Sequence, residues 1–427
     1  MKKAYETYKD SGIKWIGNVP SCWELLPVRH YVTLVKGTKP KELTDINAGF
    51  PYLTMDYLRG RDGKTTMYPT SIDGLELIEE NEILVLWDGA NAGEFLLSKK
   101  GYLGSTMAKI TVNPLKYDKQ YFYYLLKTIE KASKDYANGT TIPHFDSKVL
   151  TDYYYPCPSL AEQKAIAEFL DNKCGKIDSL VAELERQVAD LEVLKKSEIS
   201  HVVTKGLDSN VQMKYSDIEW LGEVPENWDV VPLKRALAEK MMYGANESAE
   251  YTNRDFPRYI RITDIDENGN LKDDTFKSLP IEKARDYLLQ KGDVLFARSG
   301  ATVGKTFLYN LDESACFAGY LIKAKCNSNV LSPFYLMQYT KSTQYDTWKN
   351  SVFAQATIQN IGADKYSMLP IPIPPLTEQH QIVAYLDSYC QKIDVTIKEI
   401  QAQISDLKSY KQSLISEAVT GKIKIID

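Results

Sequence analysis

The sequence predicts an α+β protein of two tandem globules, each followed by a long helix, with the two helices paired as an antiparallel coiled coil. Three observations predict it. The chain is written twice, each copy opens on short β-like runs divided by turn residues, and each copy closes on a long heptad stripe. At 427 residues it is also too long for one ordinary domain.

The duplication is plain where each copy begins. IKWIGNVPSCWELLPV starts at Ile13 and IEWLGEVPENWDVVPL at Ile218. Trp15, Gly17, Pro20, Trp23 and Pro27 recur 205 positions on as Trp220, Gly222, Pro225, Trp228 and Pro232. Further down, Gly89-Ala90 and Gly93 match Gly300-Ala301 and Gly304, Phe122-Tyr123 aligns with Phe334-Tyr335, and Thr141-Ile142 with Thr357-Ile358. Tyr155 to Asp171 (YPCPSLAEQKAIAEFLD) matches Ile371 to Asp387 (IPIPPLTEQHQIVAYLD) at an offset of 216. The growing offset places extra loop residues in the second copy. A tandem copy of this kind is expected to fold as two similar globules about a pseudo-twofold axis.

Within each copy the elements follow in order. Ile83–Trp87 and Met107–Val112 read as strands, as do 293–296 and 320–324 in the second copy, with Gly, Asn and Asp clusters between them. Helices are expected near 121–135 and 333–348. From Ala161 to Val203 there is no proline, and Ile177, Val181, Leu184, Val188 and Leu191 step by 4, 3, 4, 3. Ile393, Ile397, Ile400, Ile404 and Leu407 repeat those steps, so each helix finds its apolar partner in the other. The expected division is a globule over 1–158, a helix over 159–206, a second globule over 207–372 and a second helix over 373–427. The tryptophans Trp15, Trp23, Trp220 and Trp228 are expected as core pegs.

Composition excludes several functions. With 52 basic and 57 acidic residues the net charge is -5, against a protein that coats nucleic acid with general positive charge, though a local basic face remains open. The six cysteines are scattered, with no pair close enough for a redox CxxC or zinc knuckle, and the four histidines show no metal-ligand spacing. The N-terminal stretch lacks a signal-peptide apolar region, and the longest apolar run is far too short to span a bilayer. A cytoplasmic location with no membrane partner is expected. No nucleophile elbow or dinucleotide fingerprint appears. Gly300-Ala301-Thr302-Val303-Gly304-Lys305-Thr306 imitates a phosphate loop, but it has three residues between its glycines where that loop needs four. It is expected to be a turn after a strand.

The motifs together resemble a known family. W-[IL]-G-x-[VI]-P-x-x-W at Trp220 to Trp228, KGDVLFARSGATVGKT at Lys291 to Thr306, T-I-x-x-I from Thr357, and P-P-L-x-E-Q from Pro374 are similar to the specificity subunit of Type I restriction–modification systems. The resemblance covers both copies nearly end to end. The first copy departs from the second at Trp87-Asp88, where the second has Arg298-Ser299, and at Pro158-Ser159, where it has Pro374-Pro375. The resemblance implies that each globule is a target recognition domain reading one half of a bipartite site in double-stranded DNA. The helices would set the gap between the halves. The chain would carry no catalytic residue and no cofactor of its own. Two modification subunits would bring S-adenosylmethionine and methylate adenine, and restriction subunits using ATP and Mg could join. The competing reading is a coiled-coil adaptor whose globules bind proteins.

Under that resemblance, the DNA-reading candidates are cationic and polar residues on Gly- or Pro-bearing loops. In the first copy they are Lys36, Thr38, Lys39, Lys41, Arg59, Arg61, Lys64, Thr140, Thr141 and His144. In the second they are Tyr243, Asn246, Arg258, Arg261, Arg298, Ser299, Gln355 and Thr357. Arg and Lys suit guanine edges or phosphates, and Asn and Gln suit adenine edges. The apolar candidates for the partner surface are Leu160, Ile166, Phe169, Leu376, Ile382 and Leu386, beside charged helix faces that include Lys195 and Lys408. Packing against their own globules is the alternative role for these six.

Overall fold

The computed structural model describes residues 4–13, 16–47, 49–60, 66–138, 143–266, 269–300, 302–354 and 360–425. It divides into two compact units, Met1–Glu185 with Ala402–Asp427, and Arg186–Gln401. Both boundaries fall inside the long helices, so each unit contains part of each helix.

In the first unit an antiparallel sheet has the order β1-β4-β2-β3, from β1 (Val32–Lys36), β2 (Ile83–Leu86), β3 (Phe95–Leu97) and β4 (Met107–Val112). All four residues of β2 are buried, as its unbroken apolar run requires. Helix α1 (Lys119–Asn138) buries Tyr121, Phe122, Leu125, Leu126 and Ile129, a stripe at helical spacing. Glu24–Pro27 pairs antiparallel with Tyr154–Cys157, which leads into α2 (Leu160–Lys205).

The second unit repeats the plan. Its sheet order is β5-β8-β6-β7, from β5 (Met242–Tyr243), β6 (Asp293–Ala297), β7 (Thr306–Tyr309) and β8 (Leu321–Lys325). Here the single helix expected over 333–348 is two, α3 (Pro333–Tyr339) and α4 (Thr343–Ala354). Ser342 makes the break. Its hydroxyl donates to the Tyr339 carbonyl at 2.7 Å and accepts from the Tyr345 N–H at 3.2 Å, ending one helix and capping the next. Asp229–Pro232 pairs with Pro370–Ile373, which leads into α5 (Leu376–Val419).

The repeated motifs are mostly structural clamps. Trp23 and Trp228 are fully buried, and their indole N–H groups donate to Glu162 Oε2 at 3.1 Å and Glu378 Oε2 at 3.0 Å. Gln163 accepts from the Asp118 N–H at 2.7 Å and donates to the carbonyls of Lys116 and Pro158 at 2.8 and 2.9 Å. Gln379 does the same with Ser332, Val330 and Pro374 at 2.8, 2.8 and 2.9 Å. The Glu-Gln of each copy thus ties the long helix to the second tryptophan of the opening motif and to the start of the preceding helix. Of the other two tryptophans, Trp220 is half-buried against the core, and Trp15 lies outside the described residues.

These clamps also correct one alignment. The Tyr121 hydroxyl lies 3.3 and 3.0 Å from the carbonyls of Pro156 and Val419, and the Tyr335 hydroxyl 3.1 and 3.0 Å from those of Pro372 and Val203. Tyr335 is therefore the structural counterpart of Tyr121, not of Tyr123. The shared Phe-Tyr letters sit half a turn out of phase.

The long helices run antiparallel within each unit. In the first, Asp178 pairs with Lys411 at 2.6 Å and Glu185 with Lys408 at 2.9 Å, so partner numbers fall along α5 as they rise along α2. In the second, Lys195 pairs with Asp394 at 2.6 Å, and Tyr385 donates to Glu198 at 2.7 Å. Residues 178 and 195 become 394 and 411 under the repeat, so one ion pair is formed twice. Ile177, Val181 and Leu184 on α2, and Ile393, Ile400 and Ile404 on α5, are buried, as the heptads predict.

Candidate functional site

In the first unit, the ends of β1 and β2 bring four side chains together. Lys36 Nζ lies 2.9 Å from Asp88 Oδ2 and 5.6 Å from the Trp87 ring centroid. His144 Nδ1 lies 2.5 Å from Asp88 Oδ1, and the Trp87 indole N–H donates to His144 Nε2 at 2.9 Å. An indole can only donate. His144 Nε2 therefore carries the lone pair, and its Nδ1–H faces the carboxylate. Partial burial works to raise the Asp88 carboxyl, but the hydrogen bonds from Lys36 and His144 outweigh it and hold the group below the usual carboxylate range. Gly37, next along, could not carry a side chain, since a Cβ would sit 2.3 Å from the Gly104 carbonyl oxygen.

The second unit builds the corresponding edge from different residues. Arg298 lies over the Tyr243 ring at 5.0 Å, and its Nε donates to Asn360 Oδ1 at 3.3 Å. Ser299 and Asn360 form a β-bridge, as Asp88 and His144 do. Gly244, like Gly37, would place a Cβ 2.3 Å from a carbonyl oxygen, here that of Phe317. Each edge thus sets a cation over an aromatic face. The two roles are exchanged, Lys36 on Trp87 in one unit and Arg298 on Tyr243 in the other. Tyr243 and Tyr320 are exposed beside Arg298, whose N–H donates to the Tyr320 carbonyl at 2.9 Å.

Other candidates from the sequence fall elsewhere. Thr38, Lys39 and Lys41 are exposed just beyond the first edge, and Lys39 and Lys41 have no ion pair among the described residues. Asn246 is exposed near the second. Arg59 is an intramolecular ion-pair residue, held by Glu94. Arg258 is buried, with its guanidinium 3.2 Å from Glu313 and 2.8 Å from the Lys272 carbonyl, so it is a structural cation rather than a surface reader. Arg261 is likewise bound to Asp264 at 2.6 Å and to the Thr275 carbonyl at 2.8 Å. Arg61, Lys64, Thr140, Thr141, Gln355 and Thr357 lie outside the described residues. Sequence reasoning passed over Trp87, Asp88 and Asn360 as site residues. The mismatch between Trp87-Asp88 and Arg298-Ser299 was the signal for the first two, and no pattern marked Asn360.

The partner-surface expectation needs correction. Ile166, Ile382 and Leu386 are fully buried, so they are core and not open surface. Leu160, Phe169 and Leu376 are half-buried. Lys195 and Lys408 are engaged in the pairs between α2 and α5. The phosphate-loop imitation is a closed turn. The N–H groups of Val303, Gly304 and Lys305 donate to Gly300, Ala297 and Thr302, leaving none of the three for a phosphate. Among the described residues no cluster of His, Cys, Asp and Glu could hold a metal, and no helix is long and apolar enough to cross a membrane.

The family model for the Type I restriction modification DNA specificity domain matches residues 20–188 and again 225–406, once in each copy. The chain belongs to this family. The Type I restriction enzyme MjaVIII specificity subunit of Methanocaldococcus jannaschii is 29% identical, over 98% of this chain and 97% of that one. The EcoBI specificity subunit of Escherichia coli is 24% identical, over 90% of this chain and 82% of that one. A chain solved in work on complex assembly and conformational transition of the type I R-M system superposes with a TM-score of 0.70 at 16% identity, covering 95% of this chain and 99% of that one. That likeness concerns the fold. As a specificity-family member the chain supplies DNA recognition within a restriction–modification system, not the catalysis.

Proposed function

We propose that the two units read the two halves of one bipartite DNA site, with 1–158 and 207–372 as target recognition domains and the helices of 159–206 and 373–427 setting the gap. The observation that carries this reading is the double match to the specificity-family model, in step with the internal repeat. The two edges support it. They occupy corresponding places, each pairs a cation with an aromatic ring of which one member is exposed, and they differ from each other where the clamps do not. Different edges suit different half-sites. Arg298 fits a guanine edge, Asn360 an adenine edge, and Asp88 a cytosine amino group. Lys36, Lys39 and Lys41 fit phosphates.

In this reading the chain works in the cytoplasm and recruits two modification subunits, with restriction subunits able to join. S-adenosylmethionine, ATP and Mg belong to those partners. The test is to co-purify the chain with the adenine methyltransferase encoded beside it, and to map N6-methyladenine across the genome with the gene present and deleted. Loss of one motif made of two short blocks around an unspecified gap is the expected result. An unchanged map with the partner bound would favour the protein-adaptor reading.

A further inference from the structure

Each edge is completed by a short segment that follows Thr141-Ile142 or Thr357-Ile358 in the sequence. In the second unit, Ile361 is fully buried and its N–H donates to the Arg298 carbonyl at 2.9 Å, which fastens the segment to the end of β6. Two residues on, the Ala363 N–H donates to the Tyr243 hydroxyl at 2.9 Å. Asn360, just before the buried anchor, turns its Oδ1 to the Arg298 Nε–H at 3.3 Å. A guanidinium only donates, so it is the amide oxygen of Asn360 that faces it.

Arg298 is thereby held on two sides. The Tyr243 ring, itself fixed by Ala363, lies 5.0 Å from the guanidinium carbon, and Asn360 holds Nε. No carboxylate pairs with Arg298 among the described residues. Its face and its Nε are fixed, and the Nη1/Nη2 end keeps its N–H donors. That fork is what pairs with guanine O6 and N7.

The first unit repeats the device with other residues. Phe145 is buried and its N–H donates to the Trp87 carbonyl at 2.8 Å, as Ile361 does to Arg298. His144, the counterpart of Asn360, accepts the Trp87 indole N–H at 2.9 Å. Trp87 stands where Arg298 stands. In both copies the residue before the buried anchor accepts an N–H from the side chain that follows the central strand. All four side chains differ, so what recurs is the contact and not the letters.

We propose that Asn360 is a positioning residue of the second edge, acting on DNA through Arg298, so that residues 298 and 360 together read one guanine. By residue type alone Asn360 suits an adenine edge of its own. Bidentate pairing with adenine needs Oδ1 as well as Nδ2, however, and Oδ1 already serves Arg298. The inference rests on the edges being DNA-reading surfaces, and it says which of the two residues touches the base.

The test uses the full chain in its assembled complex and a duplex library randomised across both half-sites. Arg298→Gln should relax one position. Asn360→Leu should relax the same position by about fivefold, and Arg298→Gln/Asn360→Leu should lose no more than Arg298→Gln alone, because the two residues act as one unit. Asn360→Asp keeps the accepting oxygen and loses the Nδ2 donor. It should retain the preference that leucine removes, while its charge weakens all sequences alike. Asn360 is exposed, so these changes to it leave the fold intact. An Asn360→Leu effect that is absent, falls at another position, adds to that of Arg298→Gln or is shared by Asn360→Asp overturns the proposal and leaves the edge as a DNA reader. If Arg298→Gln itself relaxes no position, the edge does not read DNA and the proposal falls with that reading.

Discussion

Replacing Gln379 by leucine tests the reading of the Glu-Gln motif as a clamp. Gln379 is fully buried and makes three hydrogen bonds of 2.8 to 2.9 Å, to the Ser332 N–H and to the carbonyls of Val330 and Pro374. Leucine keeps the volume and removes all three. One buried donor and two buried acceptors then lack partners, at about 1–3 kcal/mol each. A loss of about 3–5 kcal/mol is expected for the second unit once local relaxation is allowed for. The assay is denaturant unfolding followed by tryptophan fluorescence, with hydrogen exchange to assign the loss to a unit, because a two-unit chain need not unfold in one step. Gln163→Leu should cost a similar amount in the first unit, since its three bonds are the same. A cost below about 1 kcal/mol in both would refute the clamp, as only a residue acting at a partner surface could be so cheap to lose from this position.

Ile166→Ala should lose about 2–5 kcal/mol in urea melts, as expected for a fully buried side chain, where an open partner-surface residue would lose little. Lys411→Glu removes an exposed pair with Asp178 and should cost no more than about 1 kcal/mol in the same melts. The Asp88 carboxyl is held below its ordinary range in the folded chain. Its stabilisation is therefore complete above the ordinary carboxylate pKa and fades as pH falls through the depressed value, so Asp88→Asn should flatten the acid limb of a stability–pH profile. In the assembled complex, Arg298→Gln should cost about 1–3 kcal/mol of DNA affinity and relax one position of the site, whereas Lys41→Ala should weaken all sequences alike and lower the salt slope by about 1. Quantitative binding across a randomised site library distinguishes the two.

The frame of this protein was legible because it is written twice and rests on periodic or invariant chemistry. Heptad spacing exposed α2 and α5, and the central strands stood out as unbroken apolar runs. The helix break at Ser342 was not legible. A serine within a helical pattern is compatible with either a continuous helix or a cap, and only the hydroxyl contacts to Tyr339 and Tyr345 decide. The site was legible in part. Lys36, His144, Tyr243, Arg298 and Ser299 stood out as cations and polar groups on turns. Arg59, Arg258 and Arg261 stood out for the same reason and are structural. Whether an arginine faces solvent or a carboxylate depends on residues distant in sequence, such as Glu313 for Arg258, which local pattern does not connect.

The comparison that separates frame from function is the one between the two copies. Where Trp23, Glu162 and Gln163 recur as Trp228, Glu378 and Gln379, the geometry recurs to within a few tenths of an ångström, because each group completes a buried bond that any change would leave open. At the exposed edges, Lys36 and Trp87 exchange roles with Tyr243 and Arg298, and both edges keep a cation on an aromatic face. That preserves the type of surface while changing its donors and acceptors, which is how two domains on one frame can read unlike half-sites.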